Sequence, residues 1–472
     1  MYSSALKLFG VTEEDMRRVI STALEKGGEY ADLYFEYTQI NELTLRDGQV
    51  NVAEKHIDYG VGIRVVDGDR SGYAYCETTD LAEMMNAAKC ASQIARERGK
   101  TIPPQKIKLL KGNNFYSVEE KSSYDITFKI PFLKKLMQRV SECEPRAVKI
   151  NAALNDSIST ILFFNSLGET FADTRPMISL ICSCTLKEGE KLEQISASKS
   201  YRAGFNILTD ELIGRMAAEI KRKSEHIFEA KHPKGGEMSV VMGCGSSGIL
   251  LHEAVGHAFE ADFARKSISI FSDKLGKKIC SEKIDIVDDG TIPFNRGSVN
   301  YDDEGVPGEK TYLVKEGILN SFMHDRISAK HYGTRATGNG RRESFRYMPI
   351  PRMRATYMEN GDSTPQEIIS SVKHGIYVDN FTNGQVQIGA GDFTFYVKSG
   401  FTIENGRLTA PIKDINIIGN GPKALKDILF VGNDSLIDNS TWTCGKEQSC
   451  PVSCGMPTVL VKSLIVGGEE NV

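Results

Sequence analysis

Alternating runs punctuated by Asp-Gly pairs constrain this chain more than any other feature. Ala31–Thr38, Leu43–Arg46, Val50–Lys55, Gly62–Val66 and Gly72–Cys76 are strand-like, with Asp47-Gly48 and Asp67-Gly68 between them. Asp-Gly suits the positive backbone angles of a tight hairpin turn, so successive runs are expected to pair antiparallel. Helical stretches bracket them. Thr12 and Asp15 are spaced as a capping box for a helix that runs to the stop at Gly27-Gly28, and a second helix is expected over about Leu81 to Arg98.

After the Pro103-Pro104 loop the order returns: a helix around Ile130–Glu142, strands at Val148–Leu154, Ser159–Phe164, Ile178–Leu186 and Gln194–Ser198, then a helix from about Asp210 to Glu225. No residue-level repeat accompanies this recurrence. Lys231-His232-Pro233-Lys234-Gly235-Gly236 is rich in breakers and reads as a linker. Beyond it one helix, Ile249 to about Ala264, stands among short strands such as Ile284–Val287, Tyr312–Val314, Val386–Ile388, Phe393–Val397 and Ile415–Ile418.

A chain of 472 residues exceeds one ordinary core. The expected class is α+β. Its first domain covers 1–232, a mixed α/β unit of hairpins and helices with sub-regions at about 1–100 and 120–230. The second covers 236–472 and is mainly antiparallel β around one metal-binding helix.

Composition excludes several classes. A formal charge of −4 gives no electrostatic footprint for nucleic acid, and no apolar run reaches the 18 residues of a membrane span. Met1 to Gly10 lacks the pattern of a secretory signal, which predicts a cytoplasmic protein with reduced thiols. Seven of the ten cysteines (Cys76, Cys90, Cys143, Cys182, Cys184, Cys244, Cys280) lack framework spacing, while Cys444, Cys450 and Cys454 cluster near the C-terminus.

The chemistry concentrates in Leu250-Leu251-His252-Glu253-Ala254-Val255-Gly256-His257. Two histidines flanking a glutamate on an apolar helix are a zinc-peptidase pattern, with the imidazoles as ligands and the carboxylate as base. Zinc brings the pKa of bound water from 15.7 to about 7, and Glu253 is placed to take its proton. Histidines four apart share a helix face. These are five apart, about 140° around an ideal helix, so the helix must end, unwind or carry a π-bulge near Gly256.

A third ligand must come from elsewhere. Glu260 and Asp262 are nearby as ligands or supporting groups, His324 and His331 are isolated and read as structural, and the Cys444–Cys454 cluster offers thiolates. Residue spacing leaves that choice open.

Two features point elsewhere. Gly243-Cys244-Gly245-Ser246-Ser247-Gly248 satisfies the dinucleotide fingerprint, but no βαβ continuation follows, and a close-packed turn feeding the helix is the competing reading. Arg341, Arg342, Arg346, Arg352 and Arg354 interleave with Phe345, Tyr347 and Tyr357. That pattern suits single-stranded nucleic acid, a grip on substrate carbonyls or a carboxylate, or internal ion pairs.

Taken together, LLHEAVGHAFEADF (250–263), DDGT (288–291), DDEGVPGEKT (302–311), TGNGRRES (337–344), PIPRM (349–353), STPQEII (363–369), IGNGP (418–422), VGND (431–434), CGKEQS (444–449) and VGG (466–468) resemble the TldD/PmbA peptidase family. The likeness is strongest over 236–472 and is collinear before it. The resemblance implies a metal held by His252, His257 and Cys444, with Glu253 as catalytic base. Cys450 and Cys454 depart from the family pattern. It further implies a zinc-dependent cytoplasmic peptidase for small or unfolded peptides, working as a homodimer or beside a PmbA/TldE-like subunit, without direct contact to nucleic acid or membrane. The rival readings are a non-catalytic, metal-stabilised peptide-binding subunit and a nucleotide-dependent enzyme using the Gly243–Gly248 turn.

Overall fold

A computed structural model of the protein describes residues 1–95, 106–116 and 126–467. The Pro103-Pro104 loop and Gly468 of the closing VGG lie outside them, and the second helix, expected to reach about Arg98, already ends at Ala91 with a 3-10 turn over Ser92–Ile94.

The fold is α+β. The first half is built on one seven-stranded sheet. Tyr30–Arg46 and Gln49–Asp67 form a long hairpin about Asp47-Gly48, both with positive φ, and Arg70–Cys76 adds beyond Gly68-Asp69. Tyr30–Arg46 also pairs along its length with Ala147–Asn165, which joins the two regions in one sheet. Runs that look separate in sequence are thus single strands of 17 to 20 residues. The polar interruption Asn155-Asp156-Ser157 stays in the ladder because Asp156 is served by Asn41 at 2.8 Å and by a buried Lys129.

Helices cover the sheet as two separate cores. Glu13–Ala23 starts at the expected Thr12/Asp15 capping box and packs with Leu81–Ala91 over Leu33, Phe35 and Ile63. Ile126–Cys143 and Asp210–Ser224 cover Leu154, Leu180 and Leu186.

The second half is a barrel with a flanking sheet. Gly236–Met242, His374–Gln387, Asp392–Glu404, Arg407–Asn420 and Val459–Gly467 follow one another by hydrogen bonding. Asn416–Ile418 pairs with Ile465–Gly467, which closes the ring. Most pairs are antiparallel; Gly236–Met242 with His374–Gln387 is parallel. A second six-stranded sheet includes Ile286–Asp289, Ala355–Met358 and Ser453–Met456. Ile249, Leu250 and Val255 pack into the core shared by barrel and sheet, so the histidine-bearing helix is gripped on both sides.

The halves are joined by buried charge. Arg64, fully buried, pairs with Asp32 of its own sheet and with Glu304 at 2.6 Å from the second half. Arg175 makes the same kind of link, to Asp173 and to Asp303 at 2.6 Å. The DDEG segment therefore serves as a fastening between the halves. Breaking one partner of such a pair strands the other charge away from water.

Candidate metal centre

The expected distortion of the helix is a π-turn. Ile249–Leu251 is α-helical, His252–Gly256 is a π-helix, and His257–Phe259 is a 3-10 turn. The His257 N–H donates to the His252 carbonyl, an i+5 bond that adds one residue to the turn. Residues five apart are thereby stacked on one face, with ring centroids of His252 and His257 5.1 Å apart. Gly256 itself keeps ordinary helical angles, so its role differs from the conformational freedom that its sequence position suggests. A Cβ there would lie 2.3 Å from the buried Met353 sulfur and 3.0 Å from the Leu251 carbonyl.

Facing this turn is the tight hairpin Thr443–Lys446 and Gln448–Pro451. It carries Cys444 to the imidazoles. The ligand atoms of His252, His257 and Cys444 all lie within 4.8 Å of one another, and all three residues are buried. Cys444 Sγ is 3.2 Å from His257 Nε2. A tetrahedral zinc site places such N and S atoms roughly 3.3–3.6 Å apart. His252 Nδ1 is buried without a hydrogen-bond partner among the described residues. Donor type, spacing and this orphaned atom fit zinc.

Electrostatics agree. Burial opposes charge on the Cys444 thiol, but the two imidazoles override it and hold the thiol down to about 4. Burial likewise opposes charge on His257, and Glu260 with Cys444 holds it well above its ordinary value. A thiol held ionised beside two imidazoles suits a divalent cation, which binds its ligands deprotonated.

Glu260 is not part of the triad. Its carboxylate accepts from His257 Nδ1 at 2.9 Å, fixing the ring so that Nε2 faces Cys444. Although burial favours the neutral form, Lys446 and His257 keep Glu260 ionised, down to about 2. Lys446 Nζ lies 3.1 Å from Glu260 and 2.7 Å from Asp262, which places Asp262 outside the cluster as well. Glu260→Gln is expected to weaken metal binding about 10- to 100-fold, read by competition with a chelating dye; unchanged affinity would contradict the supporting role.

Glu253 stands beside the triad, its carboxylate 4.0 Å from His252 Nε2. Burial raises its pKa above the usual carboxylate range, which brings its basicity nearer to neutral pH. It lines a pocket of about 250 Å³ with His252, Asn383, Gly384, Trp442 and Cys454. Thr382 and Trp442 also line a cavity of about 1040 Å³ bounded by Gln194–Ser198 of the first half.

The remaining sequence candidates fall away from the centre. His324 is buried beside Ser328 and His331 is exposed, and neither joins the cluster. Cys450 and Cys454 are buried but also stand outside it; burial pushes both thiols up.

The arginine stretch is mostly turned into the protein. Arg352, fully buried, donates to the carbonyls of Cys444 at 2.6 Å and Gln448 at 2.7 Å. Arg341 donates to Pro451 O at 2.7 Å, Arg354 to Gly338 O and Arg342 to Asp303 O, while Arg346 pairs with Asp58 and Glu77. The grip on carbonyls expected from the sequence exists, but on the chain's own metal hairpin and fastening loops. Four of the five are buried in these contacts, which removes them as a nucleic-acid platform.

Nor is the Gly243–Gly248 turn built for phosphate. The Gly243, Gly245 and Gly248 amides are spent on the carbonyls of Val378, Met456 and Gly245. A Cβ on Gly248 would lie 2.3 Å from the backbone nitrogen of Gly455, so this glycine exists for close packing. Gly248→Ala has no flexible side chain to push aside. A stability loss of about 3 kcal/mol is expected in denaturant unfolding, and a loss below about 0.5 kcal/mol would contradict this packing.

Comparison with known proteins decides the family. Three models match in chain order: the PmbA/TldA metallopeptidase domain 1 over residues 31–95, the central domain over 119–226 and the C-terminal domain over 235–468. A metalloprotease TldD homolog of Haemophilus influenzae is 38% identical over 451 residues, covering 94% of this chain and 93% of that protein. The chain belongs to the TldD/PmbA metallopeptidase family.

It is a metallopeptidase. A zinc metalloprotease TldD homolog of Saccharolobus solfataricus is 28% identical, covering 96% of this chain and 100% of its own. Among solved structures, TldE of Thermococcus kodakarensis superposes with a TM-score of 0.76 at 19% identity, covering 96% of this chain and all of its own. A putative modulator of DNA gyrase from Bacteroides thetaiotaomicron gives 0.75 at 20%, covering 97% and 100%. These structural likenesses establish the TldD/PmbA fold. No helix among the described residues is long and apolar enough to cross a membrane.

Proposed function

We propose that this metallopeptidase is zinc-dependent, with His252, His257 and Cys444 as ligands and Glu253 as general base, and that it hydrolyses small or unfolded peptides. The observation that carries the reading is the convergence of two imidazoles and one thiol within 4.8 Å, with a glutamate beside them at the edge of a pocket. Three protein ligands leave a fourth position, the arrangement of a catalytic zinc. When bound, zinc supplies Lewis acidity, polarising a carbonyl and bringing the pKa of water toward neutrality. Glu253 then accepts the proton of the attacking water and returns it to the leaving amine.

The strand His374–Gln387 is the substrate platform in this reading. Among the described residues it pairs with Gly236–Met242 only through Val378; further along, its pairing there is on the Asp392–Ser399 side alone. Thr382–Gly384 on that free edge lines the pocket of Glu253. An extended peptide added there is held by backbone hydrogen bonds, which grip many sequences alike and require an unfolded segment.

The name zinc metalloprotease borne by the Saccharolobus relative supports the choice of metal. The likeness to a TldE fits a pairing with a PmbA/TldE-like subunit or a second copy of this chain, and the proposal places that pair in the cytoplasm. A domain boundary at the 231–236 linker accords with the start of the C-terminal family model at 235.

Hydrolysis of an unstructured peptide, followed by mass spectrometry, tests the function. Activity is expected to vanish once a chelator has removed the metal and to return with one equivalent of zinc. Full activity in protein proven metal-free by elemental analysis would overturn the proposal.

A further inference from the structure

Cys450 is a thiol that the peptidase reading does not use, and its position is specific. It stands directly opposite Cys444 across the hairpin. Directly opposed residues in an antiparallel pair have Cα atoms about 4.5–5.5 Å apart and point to the same face. A disulfide needs about 4.4–6.8 Å, so this pair can be bridged without moving the backbone. Both thiols are free. Arg352 bridges them, with Nη2 on the Cys444 carbonyl at 2.6 Å and Nη1 3.5 Å from Cys450 Sγ.

We propose that Cys444 and Cys450 form an oxidative modification site, in which a hydroperoxide converts the sulfur ligand into half of a disulfide and so releases the metal. The proposal rests on the reading that Cys444 holds zinc. The Cys444 thiolate attacks the O–O bond, giving a sulfenic acid (Cys444–S–OH), and the other oxygen takes a proton and leaves as an alcohol, or as water from hydrogen peroxide. Cys450 then attacks that sulfur; the S–S bond forms, the S–O bond breaks, and water departs with the Cys450 proton. Two thiols lose two hydrogens and two electrons, and the hydroperoxide gains them.

Once in the disulfide, Cys444 has no thiolate to offer. Two histidines remain, and zinc binding weakens sharply. A small oxidant has a way in, because His252 and Thr443 line the pocket beside Glu253 and the His252 ligand atom is within 4.8 Å of Cys444 Sγ. Cys454 is not the partner. It belongs to Ser453–Met456, whose neighbours are Ala355–Met358 and Leu436–Asp438.

The test treats the zinc-loaded protein with hydrogen peroxide, follows released zinc with a chelating dye, and maps disulfides by mass spectrometry before and after dithiothreitol. The expected result is one zinc released per Cys444–Cys450 disulfide, with full zinc rebinding after reduction. Cys450→Ser and Cys450→Ala, each binding zinc normally beforehand, are expected to lose zinc and fail to recover it, their Cys444 being driven to sulfinic acid. Zinc loss without that disulfide, a bridge to Cys454, or full recovery in either variant would overturn the proposal. Absence of zinc from the untreated protein would instead refute the metal-site reading, while the mapping still decides whether the two cysteines pair.

Discussion

Glu253→Gln is expected to lower kcat for peptide hydrolysis about 10²- to 10⁴-fold while the protein keeps its zinc. The substitution is isosteric and removes only basicity. Glu253 is not among the mutually close ligand atoms, so metal content is expected to stay near one per chain. Its side chain touches the pocket, whereas the proposal assigns peptide binding to the strand edge at Thr382–Gly384, so KM is expected to change little. The ordinary form also has a pH signature. Burial raises the Glu253 pKa, and the base works only when deprotonated, so activity falls as pH drops through that raised value. In Glu253→Gln this acid limb disappears from the residual rate. Residual activity within tenfold of the original, with the limb intact, contradicts the general-base assignment.

Cys444→Ala is expected to cost about 2.5–4 kcal/mol of zinc binding, a quarter of the 10–16 kcal/mol typical of four-ligand structural sites. That is roughly a 10²- to 10³-fold loss of affinity. The sharp comparison is with Cys450→Ala, directly opposite Cys444 in register and also buried, which is expected to bind zinc normally. Isothermal titration of both variants distinguishes a ligand from a neighbour. Equal losses in both would mean that the hairpin, not the Cys444 sulfur, makes the contribution.

The sequence made the site legible to different depths. His252 and His257 betray themselves because their five-residue spacing is incompatible with an ordinary helix, and the π-turn over His252–Gly256 is the distortion that this demands. Cys444 is different in kind. Nothing local couples it to a helix nearly two hundred residues earlier; only the closure of the barrel and the flanking sheet brings the hairpin over the imidazoles, and only family resemblance singled it out from Cys450 and Cys454. The partners of Arg352 and Lys446 were out of reach for the same reason, being main-chain carbonyls and a carboxylate supplied by the fold.

Strand hairpins were readable where Asp47-Gly48 fixed the turn. They were cut short where polar residues such as Asp156 break the alternation, because the ion pair that buries Asp156 comes from Lys129 on a separate helix. Barrel closure through Asn416–Ile418 and Ile465–Gly467 leaves no local mark in either segment.

X-ray absorption at the zinc edge, on protein loaded with one equivalent, tests the central claim most directly. The account predicts a first shell with one sulfur at about 2.3 Å and nitrogen or oxygen atoms at about 2.0–2.1 Å, the sulfur disappearing in Cys444→Ala and surviving in Cys450→Ala. A shell without sulfur, or one with two or more sulfurs, would contradict it.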